Sequence, residues 1–230
     1  MKKLLFLLLF IPAISCYSQN VIDGIGKIKL GCDPSILSEL GYSNSPIEVE
    51  YLSSIFFSKV YEKYVGTDCY LITPSKEDPT TENLKEYYIP TYDPINSVNL
   101  KGITLSFYND YLYKIKINKE DGLSEAFDEK YGKHELKSEA KEKHYVNGLG
   151  NKITKLDETF RSTWNTGNEN IICIDHLSSY HNHKGERTII SYFMIYDNQI
   201  SEKVSEENKI IKSKKEELEK KEKLKDLDLL

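Results

Sequence analysis

The sequence predicts an α+β fold: an antiparallel β-sheet with two short helices packed on one face, followed by a charged C-terminal α-helix. Three observations point there. Apolar and polar residues alternate in short runs rich in Ile, Tyr and Phe, the period of half-buried strands. Two stretches, 34–40 and 122–131, each follow an aspartate and end on a glycine, as capped helices do. From Ser201 onward Gly and Pro are absent, and nine lysines mix with nine acidic residues among strong helix formers.

The first element is not part of that domain. Lys2 and Lys3 precede an apolar run from Leu4 to Ile14, and Ser15-Cys16-Tyr17-Ser18-Gln19 follows. These are the three regions of a bacterial secretory signal. Eleven apolar residues rise about 16 Å as a helix, roughly half of a ~30 Å hydrocarbon core, so the run is too short for a membrane anchor. Small residues one and three positions before the cut place it before Gln19, after Cys16 and Ser18, and give a free periplasmic or secreted protein. A cut before Cys16 is the alternative. The Cys16 thiol would then carry diacylglycerol and tether the chain in the envelope, behind Ala13-Ile14-Ser15. The organisation is a signal peptide over 1–18, an α+β domain over 19–200 and a helical tail over 201–230.

Composition bounds the mature chain. A hydrophobic content of 39% with seventeen Tyr and eight Phe is enough for a packed core, since each aromatic ring buries a large area. The formal charge of −5 becomes −7 once Lys2 and Lys3 are removed. That excludes the basic footprint of a nucleic-acid binder and disfavours charge-driven adsorption to anionic lipid. Membrane attachment is therefore expected only through a lipid on Cys16. Cys32, Cys69 and Cys173 lack C-x-x-C spacing and read as structural, with one internal disulfide at most.

Gly26-Lys-Ile-Lys-Leu-Gly31 alternates as a short strand. Asp33 then caps a helix opening at Pro34 and running to Leu40, and Gly41 ends it. This stretch, Gly26 to Gly41, resembles the opening of SmpA/OmlA-type and β-lactamase-inhibitor-protein-like modules of the bacterial envelope. The resemblance implies a small exported α+β module. Residues 47–65 are rich in Ile, Val, Tyr and Phe, and 69–73 is a further strand stopped by Pro74. Pro74, Pro79, Pro90 and Pro94 mark residues 74–99 as a long surface loop.

Ile103–Tyr108 and Tyr111–Ile117 are two strands joined by Asn109-Asp110, residues that tolerate positive φ, so a two-residue hairpin is predicted. Asp121 caps the second helix, Gly122 to Tyr131, with Leu123, Phe127 and Tyr131 on one side and Gly132 at its end. Residues 133–157 are charged and aperiodic and read as a second loop or a partly helical excursion. Strands follow at 159–166, 171–175 and 188–196, turned by Gly167-Asn168 and by the polar run 178–186. Each helix with its following strands suggests a pseudo-repeat, 26–117 and 121–196. In the tail, Val204, Ile211 and Leu218 repeat by sevens without partner positions, which predicts a solvated helix docked at its start.

The chemistry-bearing group is a histidine set near the last turn: Asp175, His176, His181 and His183. On a strand His181 and His183 share a face, so imidazoles with Asp175 or His176 opposite would suit zinc or another transition metal. A small metal-dependent hydrolase is the alternative reading. No G-x-S-x-G, H-E-x-x-H or phosphate-binding glycine loop is present, and no carboxylate pair stands out. Trp164, Tyr192, Phe193 and Tyr196 fit a core better than a ligand groove. The expectation is a noncatalytic protein-binding or structural module with no cofactor and no catalytic or metal residue assigned. Its partner is another envelope protein, met by the sheet face or by the loops 74–99 and 133–157.

Overall fold

A computed structural model describes residues 21–45, 49–50, 68–74, 79–95, 98–118, 121–146, 150–182 and 184–227. The expected signal segment, both candidate cut sites, most of the apolar stretch 47–65 and His183 lie outside these residues. The centre of the molecule is a large mixed sheet, and 53% of the described residues are in strands. The predicted fold, an antiparallel sheet with two short helices packed on one face, is overturned by this: the sheet is mixed and large, and the described residues are mostly β. Nine strands lie side by side in the order 43–44, 68–73, 84–95, 98–108, 111–118, 187–197, 171–181, 152–164 and 135–146, and 49–50 also pairs with 68–73.

The chain enters through a two-residue hairpin, β1 (Gly24–Ile25) and β2 (Ile28–Lys29), not the single strand expected over 26–31. Gly26 turns it at φ +59°, and a Cβ there would lie 2.5 Å from the Tyr92 hydroxyl and 2.7 Å from Pro94 Cβ. Only glycine fits this close approach. Helix α1 is a single turn, Ile36–Glu39, opened by the Asp33 carboxylate, which accepts the Ser35 N–H at 2.7 Å. Strands β3 (Ser43–Asn44) and β4 (Val49–Glu50) run parallel to β5 (Asp68–Thr73).

Residues 74–99 were expected to loop but contain β6, Leu84–Ile95, which pairs with β7, Val98–Tyr108. The prolines are tolerated for a physical reason. β5 pairs with β6 only at Glu86–Tyr88, so Pro90 and Pro94 sit where β6 has one strand partner, as on an edge strand, where a missing N–H is tolerated. β7 turns into β8, Tyr111–Asn118, through Asn109 and Asp110 at φ 51° and 60°, the tight hairpin predicted.

Helix α2 spans Leu123–Tyr131 and buries Leu123 and Phe127. Gly122, at φ +85°, takes the N-cap position and no side chain caps it, so Asp121 does not play the expected role. The second expected loop, 133–157, is also strand: β9 (Glu135–Val146) and the start of β10 (Lys152–Trp164). Most of β9 is in water on both faces, so its sequence shows no alternation. β11 (Ile171–His181) and β12 (Arg187–Asp197) complete an antiparallel meander, and α3 runs from Asn198 to Leu227.

Two four-strand meanders, β5 to β8 and β9 to β12, thus meet at one seam where β8 pairs antiparallel with β12. Side chains alternate across the sheet. One face carries Leu105, Phe107, Ile115, Ile117, Phe193 and Ile195, packed under α1, α2 and the first hairpin. The other carries Tyr108 and Tyr113, which meet Val204 and Ile200 of α3. No helix among the described residues is long and apolar enough to cross a membrane.

Candidate functional site

The α3 face of the sheet holds a cleft of about 430 Å³, with β6, β7 and β8 as its floor and the first half of α3 as its wall. A bulge shapes the floor. Between the pairs Ser106–Lys114 and Phe107–Leu112, one step on β7 spans two on β8, so Tyr113 is an extra residue. Tyr113 and Lys114, adjacent in sequence, consequently both line the cleft.

Register arranges the floor in rows. Glu86, Ser106 and Lys114 face one another across three strands, and Tyr88, Thr104 and Lys116 form the next row. Ser106 donates its hydroxyl to Glu86 Oε1 at 2.5 Å, and Lys114 Nζ lies 3.4 Å from the same oxygen. Burial disfavours the Lys114 charge, but the Glu86 carboxylate and the Tyr113 hydroxyl outweigh it and hold this amine above the ordinary lysine range. Lys116 is shifted the opposite way: burial first, then the neighbouring Lys114 charge, pulls it down.

The wall is fastened by polar bonds near Val204. Tyr108 donates its hydroxyl to Glu207 Oε1 at 2.6 Å, and the Thr81 N–H donates to Asn208 Oδ1 at 2.8 Å. Lys203 lies over the Tyr108 ring at 5.1 Å. On the cleft side α3 adds Lys209 and Lys212. Sequence reasoning missed this site altogether. Lys114 and Lys116 read as the watered face of a hairpin, and nothing local shows that a helix ninety residues later covers them.

The histidine set does not assemble among the described residues. Asp175 and His176 are neighbours on β11 and point to opposite faces. Asp175 is buried on the α2 side and accepts the Ser124 hydroxyl at 2.6 Å. His176 stacks on Tyr192 on the other face, ring centroids 4.8 Å apart. His181 is held by Asp157, whose Oδ1 accepts its backbone N–H at 2.8 Å and lies 2.9 Å from its Nδ1. Lys143 pairs with the same carboxylate at 2.7 Å. The Lys143 bond, with those from His181, outweighs partial burial and lowers the Asp157 pKa to about 2. No group of three metal-ligating side chains exists among the described residues. Of the aromatic set, Trp164 and Phe193 are core, as expected, whereas Tyr192 and Tyr196 are half-buried on the α3 face. Cys32, Cys69 and Cys173 are free thiols, the last two buried.

A second surface lies where the helices stop. β8 pairs with β12 only over Tyr192–Tyr196, so the far ends of β9 to β12 project past it as a wing. On the face that α1 and α2 cover elsewhere, Leu136, Leu156, Phe160 and Ile189 are exposed. Register places Phe160 opposite Leu177 and Ser138, and Leu156 opposite Glu142, on that same face. Comparison of the chain with protein-family models, with curated proteins and with solved structures finds no match in any of the three.

Proposed function

We propose that the protein is an exported, noncatalytic protein-binding module that docks its partner on the bare wing of the sheet. The observation that carries this reading is a set of uncovered apolar side chains on one face of β9, β10 and β12: Leu136 at 57%, Leu156 at 43%, Phe160 at 37% and Ile189 at 57% exposure. Single exposed apolar residues are ordinary on a monomer, but four on one sheet face beside an open strand edge favour a partner. Burial contributes roughly 25 cal/mol per Å² of apolar surface removed from water.

The sheet edge supports the same reading. β9 pairs only with β10 among the described strands, so its other edge offers backbone donors and acceptors to an added strand. Leu136 and Ala140 lie on one face of β9, and Lys137 and Lys141 on the other. The occupant this fits is an extended segment of an envelope protein, apolar toward Leu136 and polar toward the mixed charges of Glu135, Lys137, Glu139 and Lys141. Met1 to Asn20, with their charged, apolar and small-polar succession, support export to the compartment of that partner.

The test is a photo-crosslinking residue in place of Leu156 in the full chain, expressed in a host envelope. The captured protein is identified and purified, and its affinity is measured. Phe160→Lys should weaken binding by at least about tenfold, as loss of a central apolar anchor does. Ile210→Lys on α3 should leave it unchanged. Absence of any specific crosslink from the wing, or equal weakening by Ile210→Lys, would sink the proposal.

A further inference from the structure

We infer that the extended segment added to β9 is β9 of a second copy of this chain, antiparallel and centred on Ser138. The inference rests on the reading of the wing as a docking surface and names its partner.

The edge is open where the pairing falls. Residues 135–142 of β9 are all exposed, and β10 is the strand's only partner among the described strands. Sheet edges are commonly blunted by short length, by proline or by charges that repel an incoming strand. β9 is twelve residues long and contains no proline. Its first seven residues hold two glutamates and two lysines, so that segment is neutral within a chain of net charge −5.

The order of those charges selects the occupant. Antiparallel copies related by a two-fold axis normal to the sheet oppose residues on one face, pair by pair about the axis. With Ser138 on the axis, Glu135 meets Lys141 of the second copy and Lys137 meets its Glu139. Symmetry repeats both pairs, so every charged residue from 135 to 141 faces its opposite. Other registers fail. An axis on Lys137 sets that lysine against itself and Glu135 against Glu139. An axis on Glu139 sets Glu139 against itself and Lys137 against Lys141, and one on Ala140 sets Lys137 against Lys143. An axis on Leu136 leaves only residues 135–137 to pair. Like charges directly opposite destabilise a strand pair, and opposite charges support it.

The neighbouring strands fit the same register. Lys137 contacts Glu135 along its own strand at 3.5 Å, with the two side chains 73% and 72% exposed, and lies opposite Arg161 on β10. Glu139 of the second copy continues that row of two cations with a carboxylate. On the other face Leu136 meets Ala140 of the second copy, and Phe160 stands one strand behind Ser138. The uncovered apolar side chains of the two wings thus approach one another across the axis. Pairing stops at Glu135, where β9 begins. Lys133 and His134 turn back to Asp128, and Lys143 pairs with Asp157. Each copy occupies the other's edge, so the assembly closes at two.

Sedimentation equilibrium of the purified chain at low ionic strength tests this. Apparent mass should rise with concentration from monomer to dimer, and added salt should weaken the rise. Lys137→Glu sets like charges against each other twice across the axis and should weaken dimerisation by about tenfold. Adding Glu139→Lys makes those pairs opposite again and should restore the dimer. Adding Glu216→Lys on α3 instead gives the same net charge and should not. Under oxidation Ser138→Cys should form a disulfide between copies, whereas Ala140→Cys, whose two copies lie on either side of the axis, should not. All the substituted positions are exposed, so the core is left intact. A chain that stays monomeric, equal rescue by Glu216→Lys, or equal crosslinking of Ala140→Cys would overturn the self-pairing. Photo-crosslinking from Leu156 separates this inference from the reading beneath it. A monomeric chain that captures a different protein there loses the second copy as occupant and keeps the docking wing.

Discussion

Asp128, in the last turn of α2, gathers donors from three directions. Lys133 Nζ reaches Oδ2 at 3.0 Å, while Oδ1 accepts the His134 N–H at 3.2 Å and the Trp164 indole N–H at 3.1 Å. His134 Nδ1 lies 2.8 Å from Oδ1 as well. Partial burial raises the pKa of this carboxyl, but the bonds from His134 and Lys133 outweigh it and hold it at about 2. A carboxyl depressed below its unfolded value of roughly 3.9 stabilises the fold fully above that pH. The contribution fades as pH falls from about 4 toward about 2. Asp128→Asn should therefore lower the melting temperature at neutral pH and flatten its decline between those values. Thermal melts of parent and variant across that range check this; parallel curves would remove the role. Residue-scale logic also fixes the hairpin. Asn109 holds φ 51°, a region asparagine tolerates and alanine does not. Asn109→Ala should cost about 1 kcal/mol in denaturant unfolding.

Elements were legible in the sequence where apolar and polar residues alternate with the period of the element. The hairpin of β7 and β8 alternates Leu105 and Phe107 with Thr104 and Ser106, and its turn carries the residues its φ values demand. Helix α2 was readable from Leu123 and Phe127, both buried. β9 was not, because an edge strand with water on both sides has no reason to alternate. Nor was β6, whose prolines signal a loop until the single-sided pairing is known. The cleft was illegible for a related reason: strand β8 and helix α3 come together only in three dimensions. That junction yields an element-scale prediction. Val204 is 4% exposed and packs with Tyr108 and Tyr113, whereas Leu218, two heptads on, is 61% exposed. Backbone amides near Val204 should thus be protected from hydrogen exchange, and those after Lys212 should exchange almost as in an isolated helix. Val204→Ala should open the protected part selectively, with a cost of about 1 kcal/mol for the lost methyl groups. Uniform protection along the whole of α3 would contradict this account of how it is held.

At the scale of the molecule, the question is whether two meanders that meet along one pair of strands unfold together. The seam of β8 and β12 is short, five paired positions from Tyr192–Asn118 to Tyr196–Lys114. Its α2-facing side is fully buried, with Ile117 opposite Phe193 and Ile115 opposite Ile195, each no more than 1% exposed. Phe193 also lies against Phe127 and Trp164, ring centroids 4.6 and 5.5 Å apart, so the second meander, the seam and α2 share one aromatic cluster. Burial on this scale outweighs the independence that a two-unit strand order would otherwise allow, and one cooperative transition is expected. Trp164 is the single tryptophan and sits in the second meander, whereas far-ultraviolet ellipticity reports strands of both. The two signals should lose their native values at the same denaturant concentration. Phe193→Ala, which empties the centre of the cluster, should cost about 3–5 kcal/mol and shift both midpoints together. If ellipticity instead falls in two steps, with tryptophan fluorescence following only one, the seam does not couple the halves and each meander folds on its own core.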